Sequence, residues 1–170
     1  MKNGFTLIEL LVVLVIIGLV SAFVAPRVTA PLGTLSLKTA SKKIVSALRY
    51  ARSQAVSENA GQVAIFDFEK RRLMIFKGAS LPPAYRADEL PLKKAEMVYE
   101  LPDQVRFEKA ATGDEQIASG LFQVVFFPNG SSNGGKMILA GDSDRRYGIQ
   151  VDFITGMVRL LDTDRSDDDL

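Results

Sequence analysis

The chain opens MKNGFTLIELLVVLVIIGLVSAFVAP, residues 1–26. From Phe5 to Ala25 only Thr6, Glu9, Gly18 and Ser21 stand outside the apolar set. Coiled as an α-helix, the run reaches about 31 Å, which matches the hydrocarbon core of a bilayer. An acid inside such a run needs a reason. A carboxylate at mid-membrane costs about 2.5–3.5 kcal/mol, so Glu9 is a functional candidate by default. The residues alone leave two readings open: Glu9 escapes to the headgroups at the helix end, or it meets a partner within the apolar surroundings. Its place in the first helical turns, where the macrodipole favours negative charge, is compatible with both.

Removing the arm from the 170 residues leaves the size of one ordinary domain. The arm also inflates the 47% hydrophobic content; the remainder reads as normally soluble. Twenty-one basic and 20 acidic side chains leave a net charge of +1, which offers no bulk pull toward nucleic acid. The absence of cysteine excludes disulfides, thiolate chemistry and a lipid-anchoring cysteine, and the absence of histidine removes the commonest general base. No catalytic constellation, metal site or cofactor motif is found, so the chain is not expected to be an enzyme or to carry a cofactor. An ordinary cleaved signal peptide fits the arm poorly. The apolar region is too long, Glu9 interrupts it, and the loose cleavage pattern Val28-Thr29-Ala30 is followed by Pro31.

Gly4-Phe5-Thr6-Leu7-Ile8-Glu9, followed by the long apolar run, resembles the processing site of type IV pilins and of the pseudopilins of type II secretion. The resemblance implies that a prepilin peptidase cuts after Gly4, removes residues 1–4 as a leader and N-methylates Phe5. It places Glu9 fifth in the mature chain, where its carboxylate would neutralise the amine of a neighbouring Phe5 in a packed bundle of arms. Two unit charges about 4 Å apart attract by roughly 4 kcal/mol at an effective dielectric of 20. Pilin-like arms also often bear a proline where Pro26 stands. An interior proline removes a hydrogen bond and kinks the helix, so Pro26 is expected to mark a bend or partial unwinding, or else the end of the span. Pro31 and Gly33 predict a second break, and Thr34 or Ser36 offers a cap for a resumed helix.

Leu37, Ala40, Ile44, Ala47, Leu48, Ala51 and Ala55 then recur at helical spacing, with Lys38, Lys42, Lys43, Arg49 and Arg52 largely on other faces. The basic residues read as a solvated face, with anionic lipid or DNA as the sharper alternative. Asn59 and Gly61 supply the stop. The period then changes to two. Residues 62–68 and 72–77 predict a hairpin, followed by a Pro-rich surface loop from Gly78 to Lys94 and strands at 97–101, 105–108, 121–127, 136–140, 147–153 and 157–161. The expected fold is α+β and type IV pilin-like, a long N-terminal helix packed on antiparallel sheet. Its expected organisation is a leader at 1–4, an assembly arm at 5–30, a periplasmic domain at 31–161 and an acidic tail at 162–170.

Gly130-Ser131-Ser132-Asn133-Gly134-Gly135-Lys136-Met137 nearly matches a phosphate-binding loop but has Met137 where a magnesium-binding hydroxyl belongs. The residues after it read as a strand, whereas a phosphate loop needs a helix N-terminus. Residues 126–135, FFPNGSSNGG, instead resemble the C-terminal signature of the GspH/FimT family of minor pseudopilins and pilins, as do Ala51-Arg52-Ser53-Gln54-Ala55 and Thr155-Gly156-Met157-Val158-Arg159. Members often have aspartate at the position of Asn129 and arginine at that of Met157. The resemblance implies a structural subunit near the tip of the type II secretion pseudopilus, held by the inner membrane with its domain in the periplasm. Its partners would be major and minor pseudopilins, the prepilin peptidase and the inner-membrane secretion platform. The alternative is a FimT-like minor pilin that binds DNA during uptake through Arg145, Arg146 and Arg159. Asp142, Asp144 and the acidic tail dilute that charge, so nucleic acid is not expected among the partners.

Overall fold

The computed structural model describes residues 6–78, 92–113, 115–142 and 145–163, with residues 22–33 described by their backbone alone. One helix, α1 (Leu7–Ser57), precedes nine strands: β1 (Gln62–Asp67), β2 (Arg72–Lys77), β3 (Met97–Glu100), β4 (Val105–Thr112), β5 (Glu115–Ile117), β6 (Leu121–Phe126), β7 (Gly135–Gly141), β8 (Arg146–Val151) and β9 (Val158–Thr163). They form two antiparallel sheets, of order β3-β2-β1-β6 and β5-β4-β7-β8-β9.

Both sheets close on the second half of α1. Its stripe Leu37, Ala40, Ile44, Leu48, Ala51 and Ala55 is at most 1% exposed and joins Phe66, Phe107, Phe126, Leu139 and Ile149 in one core. Alanines in the stripe let the helix approach the sheets closely, while Leu and Ile fill the space between. Phe66 anchors the centre, with its ring edge-on to Phe107 at 5.5 Å between centroids, a favoured aromatic geometry. The first sheet is apolar on its outer face as well: Val63, Ile65, Met74, Phe76 and Val125 form a second cluster there. That is why β1 is buried at every position rather than alternating.

Helix α1 does not stop at Pro26, Pro31 or Gly33; its helical backbone passes through all three, so no second helix begins at Thr34 or Ser36. Each proline withholds one amide hydrogen, and the ladder continues on either side. The stop after Ser57 is as expected, with Asn59 at φ 48°. Strand β4 is longer than expected because a bulge at Glu108 shifts its register on β7 between Phe107 and Lys109. The extra residue keeps Phe107 and Ala110 both in the core and hides the alternation from the sequence. Strand β5 was not expected. Of the expected acidic tail, Asp162 and Thr163 belong to β9, where cross-strand pairing with Tyr147 and Arg146 outweighs their polarity; residues 164–170 lie outside the described residues. So does residues 79–91 of the expected loop, whose last residues Leu92–Lys94 make a short 3-10 turn.

Candidate functional site

Two regions carry the features singled out in the sequence. The first is the start of α1. Thr6, in extended conformation, caps the helix, its hydroxyl accepting from the Glu9 amide at 3.3 Å. Glu9 therefore sits in the first turn with its side chain exposed, among Leu7, Ile8, Leu10 and Leu11, each more than half exposed. It is the sole acid of α1. Gly4 and Phe5 lie outside the described residues. The described side chains of the arm end at Ser21, and among the described residues no helix is long and apolar enough to cross a membrane; the apolar run of the sequence continues to Ala25. A row of exposed aliphatic side chains of this length is a surface that needs an apolar environment.

The second region is a knot at the far end of α1. Three stretches that are distant in sequence meet on Arg52. Its Nε donates to the Gly130 carbonyl at 3.1 Å and to the Thr155 carbonyl at 3.0 Å. One turn away, Arg49 donates to the Val158 carbonyl at 3.0 Å. Gly156 is left-handed at φ 61°, and an added Cβ would stand 2.3 Å from the Gly130 oxygen. Asp152 shapes the β8–β9 turn by accepting from the amides of Ile154 and Thr155 and from the Thr155 hydroxyl. These bonds, chiefly those from Thr155, hold its carboxyl below the ordinary range.

The 127–135 connection also seals the free edge of β6. Asn133 Oδ1 accepts from the Val125 amide at 2.8 Å, its Nδ2 donates to Gln123, and its own amide reaches the Val125 carbonyl. One side chain thus imitates a further strand and blocks edge pairing. Asn129 Oδ1 accepts from the amide and hydroxyl of Ser131. An aspartate would accept the same bonds, so the departure noted at this position preserves the turn. After Gly135 the chain enters β7, not a helix, so the phosphate-loop reading fails here for want of a helix N-terminus. The sequence missed the knot because Arg52 reads by spacing as one more surface cation.

The basic residues of the DNA-binding alternative do not converge. Arg146 is tied to the Glu108 carboxylate, with Nη2 at 2.8 Å from Oε1, while Arg145 and Arg159 are exposed. The Arg146 hydrogen bond holds the Glu108 carboxyl below its usual range. The pair therefore stabilises the fold above the ordinary glutamate pKa, about 4.3, and its contribution is lost as pH falls through the lower folded value. Glu108→Gln is expected to lower stability by up to about 1 kcal/mol at neutral pH, given the partial exposure of the pair. Urea unfolding of both proteins should show this gap closing in acid. A gap that stays constant into acid would assign the loss to packing instead.

A long N-terminal helix with exposed apolar side chains from Leu7 to Val20, its second half covered by antiparallel sheets, defines a type IV pilin-like fold. Residues 1–25 match the prokaryotic N-terminal methylation motif, and residues 40–155 match the model for type II transport protein GspH. The chain belongs to the GspH family. It is 32% identical over 159 residues to the type II secretion system protein H of Xanthomonas campestris pv. campestris, spanning 92% of this chain and 82% of that protein. Its fold is similar to that of the minor pseudopilin EpsH of the Vibrio cholerae type 2 secretion system, with TM-score 0.54 and 14% identity over 75% of this chain and 97% of that one. It is also similar to the type IV minor pilin FimU of Pseudomonas aeruginosa, with TM-score 0.51 and 18% identity over 73% of this chain and 87% of that one.

Proposed function

We propose that the chain is a structural minor pseudopilin of a type II secretion system, placed near the tip of the pseudopilus and needed for export of folded proteins across the outer membrane. The observation that carries this reading is the 32% identity to a secretion protein H, which extends over 92% of the chain. The two structural neighbours come from a secretion system and a pilus, so the fold supports either assembly. The engagement of Arg146 with Glu108 favours secretion over DNA uptake. The family is one of structural subunits, and the chain's work is to pack rather than to catalyse.

In this reading residues 1–4 are a leader, 5–30 the arm that crosses the inner membrane before assembly, and 31–161 the periplasmic domain. Pro26 gives the arm a bend where it leaves the membrane. The partners are other pseudopilins, the prepilin peptidase and the inner-membrane platform. Processing is the direct test. Mass spectrometry of the mature chain from a host with a prepilin peptidase should find N-methyl-phenylalanine at Phe5 as the first residue. A chain starting at Met1, or at Pro31 after a signal-peptidase cut, overturns the reading.

A further inference from the structure

The sheet β5-β4-β7-β8-β9 turns one face to α1 and the other away from it. Met137, Leu139, Ile149, Val151 and Val158 point into the core. By strand alternation Lys136, Ile138, Gln150, Arg159 and Leu161 therefore point outward. The registers align these outward residues into ranks. Ala111, Lys136, Gln150 and Arg159 stand side by side across β4, β7, β8 and β9, and Arg106, Ala140, Arg146 and Thr163 form a parallel rank. Between the two lie Ile138, Gly148 and Leu161. Contacts across the face agree, since a Cβ added at Gly148 would stand 3.0 Å from Thr163 Oγ1 and 3.4 Å from Leu161 Cβ.

This outer face is basic. Arg106, Lys109, Lys136, Arg146 and Arg159 all lie on it, in a chain whose net charge is only +1. Two acids share it. Glu108 is held by Arg146, and Asp152 is engaged by the Ile154 and Thr155 amides and lies in the field of Arg159. Lys136 differs from its neighbours: among the described residues it has neither an ion pair nor a hydrogen bond. It lines a cleft of about 520 Å³ together with Gln150, Asp152, Phe153, Gly134 and Gly135. The glycines keep the cleft open, since a Cβ at Gly134 would stand 3.3 Å from that of Phe153. At its lip Phe153 is 67% exposed and Ile154 78%.

We propose that the outer face of this sheet is a docking surface for a protein partner with an acidic patch, one of whose carboxylates enters the cleft and pairs with Lys136. Charge complementarity carries the choice of partner. A second copy presenting the same face would set like charges against one another, which is strongly unfavourable across an interface. A nucleic acid fits less well: its phosphates need unbroken positive charge, whereas Glu108 and the apolar rank of Ile138, Gly148 and Leu161 interrupt the cations here. An apolar middle with charged groups around it, and an exposed aromatic at the edge of a cleft, is instead the make-up of a protein interface. The assignment does not depend on which filament the chain joins.

Photocrosslinking of the full chain in its native host tests the surface. Benzoylphenylalanine replaces Phe153, a conservative change at an exposed aromatic, and in a second chain it replaces the exposed Gln116, which pairs with Ala111. Mass spectrometry then identifies what each reporter captures on illumination. The expected product is a protein joined through a segment in which Asp and Glu outnumber Lys and Arg. Its yield should fall about tenfold in Lys136→Glu/Arg159→Glu, which sets like charges against the partner, and should be kept in Lys136→Arg. Urea unfolding checks that the reversed chain is as stable as the parent, and Lys136→Gln, expected to lose yield in the same direction, replaces it if it is not. Capture of nucleic acid, of lipid, of a second copy or of a segment without acidic excess would overturn the proposal. So would an acidic product whose yield ignores the change at Lys136, or no product from either reporter.

Discussion

Replacing Gly156 with alanine is expected to cost the fold about 3 kcal/mol, more than the same change at other left-handed glycines. Two effects add at this position. A left-handed backbone costs an L-residue about 1–2 kcal/mol. The new methyl would also stand 2.3 Å from the Gly130 carbonyl oxygen and 3.0 Å from Arg52 Nε, and forced repacking of this kind costs about 1–3 kcal/mol. Neither neighbour can yield cheaply, because Arg52 holds the Gly130 and Thr155 carbonyls together. Gly113 is the control. It has φ 58°, close to the 61° of Gly156, but nothing within 4 Å of its added Cβ. Gly113→Ala should therefore show the backbone cost alone. Urea unfolding of the two variants and the parent, followed by circular dichroism in the same detergent, gives the comparison. Equal losses would mean that the knot relaxes freely around a methyl group and does not brace the end of the helix.

The contrast between those glycines marks where sequence stops being informative. The amphipathic stripe of α1 was legible because its period is local, and every position named in it is buried. Strand types and most bounds followed from alternation and turn residues for the same reason. Long-range geometry was not legible. By helical spacing alone Arg52 reads like Lys42, yet one ties three segments together and the other is exposed. The bulge at Glu108 cannot be seen in β4 itself, because it exists to fit the partner β7. Pro31 and Gly33 were over-read as a break from intrinsic propensity, which neighbouring helical turns override. At the start of the arm the sequence carries a short contiguous motif from Gly4 to Glu9, and the described residues from Thr6 onward add the helix cap and the exposure of the Glu9 side chain.

Glu9 carries the largest expected effect on function. If its carboxylate neutralises the amine of a neighbouring Phe5, Glu9→Ala should leave membrane insertion intact, because a more apolar arm inserts at least as well. Peptidase processing should survive too, since the cut lies on the far side of Phe5. Incorporation into the filament should fail, because a buried amine left without its partner costs about 3–5 kcal/mol. That energy corresponds to more than a hundredfold in an equilibrium constant, so crosslinks to other pseudopilins and secretion should both drop at least tenfold. Glu9→Gln separates charge from shape. It keeps the side-chain volume and the helix cap donated by the Glu9 amide to Thr6, which is a backbone bond, and removes only the negative charge. The two variants should therefore fail alike. Each is expressed in a strain lacking the native subunit, and processing, crosslinking and secretion are measured together. If Glu9→Gln assembles and secretes as the parent does, the ion pair is not what selects the register, and Glu9 serves only the helix end. If both variants remain uncleaved, the residue acts in peptidase recognition instead, and the assembly role assigned to it is wrong.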